Sequence, residues 1–163
     1  MKEVVVLSGK GGTGKTSIVG AFAAFAGEKV LSDCDVDAAD MHLLLAPTVL
    51  DCERFHGGRT MKINTELCTN CGQCINVCRW HAIAAVNGQT QIAQRDCEGC
   101  GMCLLVCPAN AIFSQPSEDG TLYWSSTRLG LMSHAMLDPG RENSGKLVTS
   151  VRKQAMARPD TKN

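Results

Sequence analysis

Eight cysteines between positions 68 and 107 use one spacing twice, and that repeat restricts the fold more than any other feature of the chain. The stretch "CTNCGQCINVCRWHAI" returns as "CEGCGMCLLVCPANAI", with a step of 29 from Cys68 to Cys97. Cys68, Cys71, Cys74 and Cys78 thus align with Cys97, Cys100, Cys103 and Cys107. The glycine after the second cysteine, the valine before the fourth and the closing Ala-Ile recur as well. The N-terminus runs from "MKE" straight into "VVVL", with no cleavable signal pattern and no run of about 18 or more apolar residues. A cytoplasmic location without a membrane span is therefore expected. In that reducing compartment ten cysteines read as metal ligands and not as a disulfide framework.

Each half reads C-x-x-C-x-x-C-x-x-x-C, the spacing of bacterial two-cluster ferredoxins. Three thiolates two residues apart wrap one cubane, and the fourth starts a helical turn that points to the other. The expectation is one [4Fe–4S] cluster on Cys68, Cys71, Cys74 and Cys107 and a second on Cys97, Cys100, Cys103 and Cys78. A zinc ribbon is the structural alternative, but zinc needs no third cysteine at the same step. Pro108 follows Cys107 as the pattern expects, whereas Arg79 follows Cys78, where a second proline often stands. Cys34 and Cys52 lie outside the repeat and read as ordinary buried thiols. Trp80, His81 and His42 read as packing residues.

The other motif is Gly9-Lys10-Gly11-Gly12-Thr13-Gly14-Lys15-Thr16, which fits G-x-x-x-x-G-K-[ST] at every position. A strand-like run at 4–7 precedes it, and "TSIVGAFAAFAG", with helical apolar spacing closed by Gly27, follows. Glycines let backbone N–H groups turn towards phosphates at a helix N-terminus. Lys15 would reach the β- and γ-phosphates of ATP, and the Thr16 hydroxyl would bind Mg²⁺. Gly9, Gly11 and Gly14 also satisfy G-x-G-x-x-G, but a dinucleotide cradle has no need of the Lys-Thr pair. A strand at 29–32 then leads into "DCDVD", which puts Asp33 and Asp35 near strand ends, where open α/β sheets hold ligands. Either acid could instead cap the following helix, with Asp37 or Asp40 equally solvated.

The segment "KGGTGKT" resembles the MinD/ParA/Mrp group of P-loop ATPases, whose deviant loop carries an extra lysine. The resemblance implies that Lys10 acts in trans across a homodimer interface, the alternative being a solvated loop lysine. It further implies that Asp35 orients water or metal near the γ-phosphate, with Asp33 its neighbour. With "ENSGKLV" and the eight cysteines, the order of segments resembles MinD-type ATPases carrying an inserted two-cluster ferredoxin domain. The fold this implies is α/β, an incomplete doubly wound P-loop parallel sheet over 1–58 and 117–163 with a ferredoxin-like α+β insertion at 59–116. The family's later strand with its D-x-P-P-G-type segment has no match here. A fragment, a truncated product or half of a split protein completed by another chain is expected, the alternative being an intact small ATPase of minimal design, and the loop alone can bind phosphates without hydrolysing them.

Sixteen basic residues balance sixteen acidic ones, so charge offers no footprint for nucleic acid. Eight thiolates and two oxidised cores would bring the loaded protein to about −4, suited to a basic redox partner protein. Two functions follow: an ATP-binding iron–sulfur protein that couples nucleotide to electron transfer or iron–sulfur work, or a ferredoxin-type carrier with a vestigial nucleotide domain.

Overall fold

The computed structural model describes residues 3–141 and 144–157. Glu142 and Asn143 of "ENSGKLV" and the tail from 158 therefore lie outside the described residues. In chain order the elements are α1 (Lys15–Phe25), β1 (Val30–Ser32), α2 (Met41–Leu45), β2 (Thr48–Phe55), β3 (Arg59–Ile63) and α3 (Gln73–Val77). Then come β4 (Ile83–Val86), β5 (Gln89–Ile92), α4 (Met102–Leu105), β6 (Ile112–Pro116), β7 (Gly120–Thr127), β8 (Gly130–Leu137) and α5 (Ser144–Ala157). Among the described residues, 3–53, 121–137 and 144–157 make one compact unit, and 54–120 with 138–141 make another. No described helix is long and apolar enough to cross a membrane.

In the first unit the sheet order is β1-β8-β7-β2, and β1 runs parallel to β8 with Leu31 opposite Met132. Only two residues separate β7 from β8, so these neighbours form a hairpin, which requires antiparallel strands. Successive residues of β8 serve opposite faces. Met132 joins Ala23, Leu31, Met41 and Leu45 in a core beneath α1 and α2, whereas the Ser133 hydroxyl donates to the Val151 carbonyl of α5 at 3.0 Å. Helix α5 turns Leu147, Val151 and Ala155 inward at steps of four.

The strand expected at 4–7 is not formed. Val4, Val5 and Leu7 are 79%, 62% and 85% exposed, and no described strand gives their backbone a ladder partner. The strand that runs parallel to β1 is β8. The sheet is mixed, and a doubly wound P-loop sheet is not what these strands make. Cys34 and Cys52 are exposed, contrary to the buried thiols expected. Asp33 faces inward at the end of β1 and the alternation turns Cys34 outward; Cys52 lies on β2, exposed along nearly its whole length.

The second unit pairs β3 with β6 antiparallel, from Arg59 opposite Pro116 to Ile63 opposite Ile112. A β4–β5 hairpin turns at Asn87-Gly88, both at positive φ, the backbone a type I′ turn demands. This unit begins before position 59 and runs past 116 because its ends are tied together. Asp119 N–H donates to the Phe55 carbonyl at 2.9 Å, and Gly57 N–H donates to the Asp119 carboxylate at 2.9 Å. The core is Met61, Cys74, Ile83, Cys103 and Ile112, with Cys78, Cys97 and Cys107 packed against it. Thiols thus supply part of what aliphatic side chains supply in a larger domain.

Candidate metal centre and phosphate loop

The repeat seen in the cysteines reappears in the backbone. Asn70, Gly72 and His81 have φ of 54°, 76° and 51°; 29 residues on, Gly99, Gly101 and Asn110 have 63°, 81° and 49°. Both loops therefore turn by the same left-handed steps, and each then enters a short helix carrying its third cysteine, buried Cys74 in α3 and buried Cys103 in α4. Different side chains brace them. The Asn70 side-chain oxygen accepts from Thr90 N–H at 2.9 Å, while Arg59 Nε donates to the Gly99 carbonyl at 2.9 Å.

Two cavities result, of about 320 and 330 Å³ of empty space, part of it open to solvent. Cys68, Cys71 and Cys74 line the first together with Cys107. Cys97, Cys100 and Cys103 line the second together with Cys78. The fourth cysteine of each half stands in the cavity of the other half. Among the described residues no three His, Cys, Asp or Glu side chains converge closely enough to share a single metal ion. Each quartet surrounds a space rather than a point, the arrangement a four-iron core requires and a lone tetrahedral zinc does not.

Burial pushes the Cys74 and Cys103 thiols above their ordinary range, and neighbouring cysteines of the same loop add to the rise. Backbone N–H groups of Ile75 and Leu104 pull the other way. Positive iron is what would hold such thiols as thiolates. Ala111 N–H already donates to Cys107 Sγ at 3.3 Å. Trp80 and His81, expected to pack, are exposed; Trp80, 50% exposed, lines the second cavity, and His81 takes the left-handed turn position.

In the first unit, Gly12 and Gly14 have φ of 72° and 86°, and Gly14 ends the loop at the start of α1. Gly9, Lys10, Gly11, Gly12 and Thr13 are exposed. Lys15 Nζ stands 4.0 Å from the Asp35 carboxylate, each about a third or more exposed, so the pair contributes little to stability. The Thr16 hydroxyl donates to Asp40 Oδ1 at 2.7 Å. Asp40 is the residue that sequence reasoning left among the solvated acids, and only the folded path from β1 to α2 brings it to Thr16. Asp33 is 5% exposed and braces that path, accepting from Asp35 N–H at 3.1 Å and Met41 N–H at 3.3 Å. Burial raises its pKa, against the pull of those two N–H groups. Among the described residues, Lys10 forms no ion pair with these acids.

Residues 61–113, which carry the thiol-lined cavities and their paired loops, match the family described as 4Fe-4S dicluster domain, a ferredoxin-type domain. The uncharacterized protein MJ0578 of Methanocaldococcus jannaschii is 33% identical to this chain over 84 residues. That match covers 50% of this chain and 30% of the relative, so it spans under a third of the relative's length.

Proposed function

We propose that the protein is an iron–sulfur electron carrier with two [4Fe–4S] clusters, one on Cys68, Cys71, Cys74 and Cys107 and the other on Cys78, Cys97, Cys100 and Cys103. We further propose that its redox work is coupled to Mg-ATP held at residues 9–16. The carrying observation is the exchange of fourth cysteines between the two cavities. When bound, such clusters supply one-electron transfer at potentials set by hydrogen bonds, charge and exposure. The chain's part is to hold the thiolates, exclude water from them and present them to a redox partner protein, a basic one given the negative charge of the loaded form.

For the nucleotide, the support is the approach of Lys15 to Asp35 and of Thr16 to Asp40. A hydroxyl and a carboxylate are the hard oxygen donors that Mg²⁺ takes. Lys15 would meet the β- and γ-phosphates, Asp35 would orient water, and Lys10 would serve the nucleotide of a second copy in a homodimer or of a complementing chain. A carrier with a nucleotide unit that does not hydrolyse is the second reading. The exposed, unpaired 4–7 segment behind the loop favours it.

The test is anaerobic: load the protein with iron and sulfide, count the iron, and titrate Mg-ATP by calorimetry against the wild type and Lys15→Ala. About eight irons per chain, with micromolar binding lost in the variant, is the expected result. Four irons or fewer would remove the two-cluster reading, and binding that survives Lys15→Ala would remove the phosphate-loop one.

A further inference from the structure

The two cluster cavities are copies in backbone but not in their walls. Residue 80 of the first repeat corresponds, 29 positions on, to residue 109 of the second. Trp80 lines the second cavity and Ala109 lines the first, whose lining contains no aromatic side chain. The exchange that sends Cys78 across to the second cavity carries Trp80 with it, since only Arg79 separates them. The Arg79 guanidinium carbon stands 5.9 Å from the Trp80 ring centroid, a cation–π distance that restrains the indole where it lies half-exposed.

We propose that Trp80 is a one-sided water shield that makes the two clusters unequal, lowering the reduction potential of the cluster held by Cys78, Cys97, Cys100 and Cys103. The inference rests on the two-cluster reading above. Each reduction adds one electron to a group that is already negative with its four thiolates, and negative charge is more costly where water is kept away. Solvent exposure is among the properties that set such potentials. An indole wall in place of a methyl group withdraws water from one cluster and leaves the other as it was. Nearby charges act in both directions, Glu98 at the second cavity against Arg59 and Arg79, and Trp80→Phe keeps a ring for the Arg79 guanidinium while it reduces the shield.

The experiment is an anaerobic potentiometric titration of the cluster-loaded protein, with electrons supplied through mediators and reduction followed by electron paramagnetic resonance. The variants are Trp80→Ala, Trp80→Phe and the reciprocal Ala109→Trp, both positions being at least partly solvent-exposed. Wild type is expected to titrate in two one-electron waves. Trp80→Ala moves one wave to higher potential and leaves the other in place, and Trp80→Phe moves it less. Ala109→Trp moves the other wave, to lower potential. Two waves that stay put in Trp80→Ala, or that shift together, overturn the shield while leaving the two clusters standing. Ala109→Trp acting on the wave that Trp80→Ala moved would also overturn it. A loaded protein with a single wave and about four irons overturns the shield and the two-cluster reading together.

Discussion

Gly99→Ala is a substitution whose cost can be worked from the structure. Gly99 has φ of +63°, and a Cβ placed there would lie 2.0 Å from the Arg59 carbonyl oxygen and 2.9 Å from its carbon, both backbone of β3. A left-handed residue with a side chain costs about 1–2 kcal/mol. Forcing a methyl group into closed space costs about 1–3 kcal/mol more, because backbone cannot swing aside as a side-chain end can. The sum, about 2–5 kcal/mol, is a large share of what a small domain has. Gly72→Ala is the matched control: it stands at φ +76° two residues before Cys74, with nothing within 4 Å of an added Cβ. Only the conformational part, about 1–2 kcal/mol, should appear there.

The assay is the temperature at which the anaerobic, cluster-loaded protein loses its cluster absorbance at a fixed heating rate. With about 4–8 °C per kcal/mol for a unit of this size, Gly72→Ala should fall by roughly 5–15 °C and Gly99→Ala by at least about 5 °C more. Equal losses in the two variants would show that the loop does not press on β3, and the bracing of the second cysteine loop by Arg59 would have to be abandoned.

Crossed ligation predicts that Cys78→Ala resembles Cys97→Ala, not Cys71→Ala, although Cys78 and Cys71 share one sequence motif. Resonance spectra that group Cys78 with Cys71 would refute it. Asp40→Ala should weaken Mg-ATP binding about tenfold, while magnesium-free ATP binds as in wild type, the loss of one charged oxygen donor being worth about 1.4 kcal/mol or more. Calorimetry with and without magnesium decides, and an equal loss in both would contradict the metal role. His134 is buried, stacked on Tyr123 at 5.0 Å and hydrogen-bonded through Nε2 to the Ser125 hydroxyl at 2.9 Å. Burial, and then His42, hold its pKa below 6.5. The unfolded chain therefore takes up the proton first, so this contribution to stability is complete above about pH 6.5 and is lost as pH falls towards the folded pKa. His134→Gln should flatten that slope in thermal midpoints measured between about pH 5.5 and 7.5.

The cysteine quartets were legible because the chemistry lies in the spacing: three thiols at steps of three must line one loop, and the fourth begins a turn directed elsewhere. Helix α1 was legible from its apolar spacing. Strand β8 was not. Met132, Ser133, His134 and Ala135 are all buried, so the apolar-polar alternation that marks a half-exposed strand is missing. Its polar residues are satisfied by partners distant in sequence, Ser133 by α5 and His134 by Ser125. Strand β2 escaped for the opposite reason, being exposed on nearly every residue. The run "VVVL" misled because β-branched apolar residues give a strand its propensity but not its partner. Asp40 carries no local mark that separates it from Asp37, and its contact with Thr16 across 24 positions exists only in the fold.

Whether clusters and nucleotide loop work together is decided by a potentiometric titration of the cluster-loaded protein with and without Mg-ATP. Coupling requires two one-electron waves, at least one of which shifts when Mg-ATP is added to the wild type and stays fixed in Lys15→Ala. Two waves that remain in place while calorimetry shows Mg-ATP bound would contradict the coupling and leave a ferredoxin whose phosphate loop does something else.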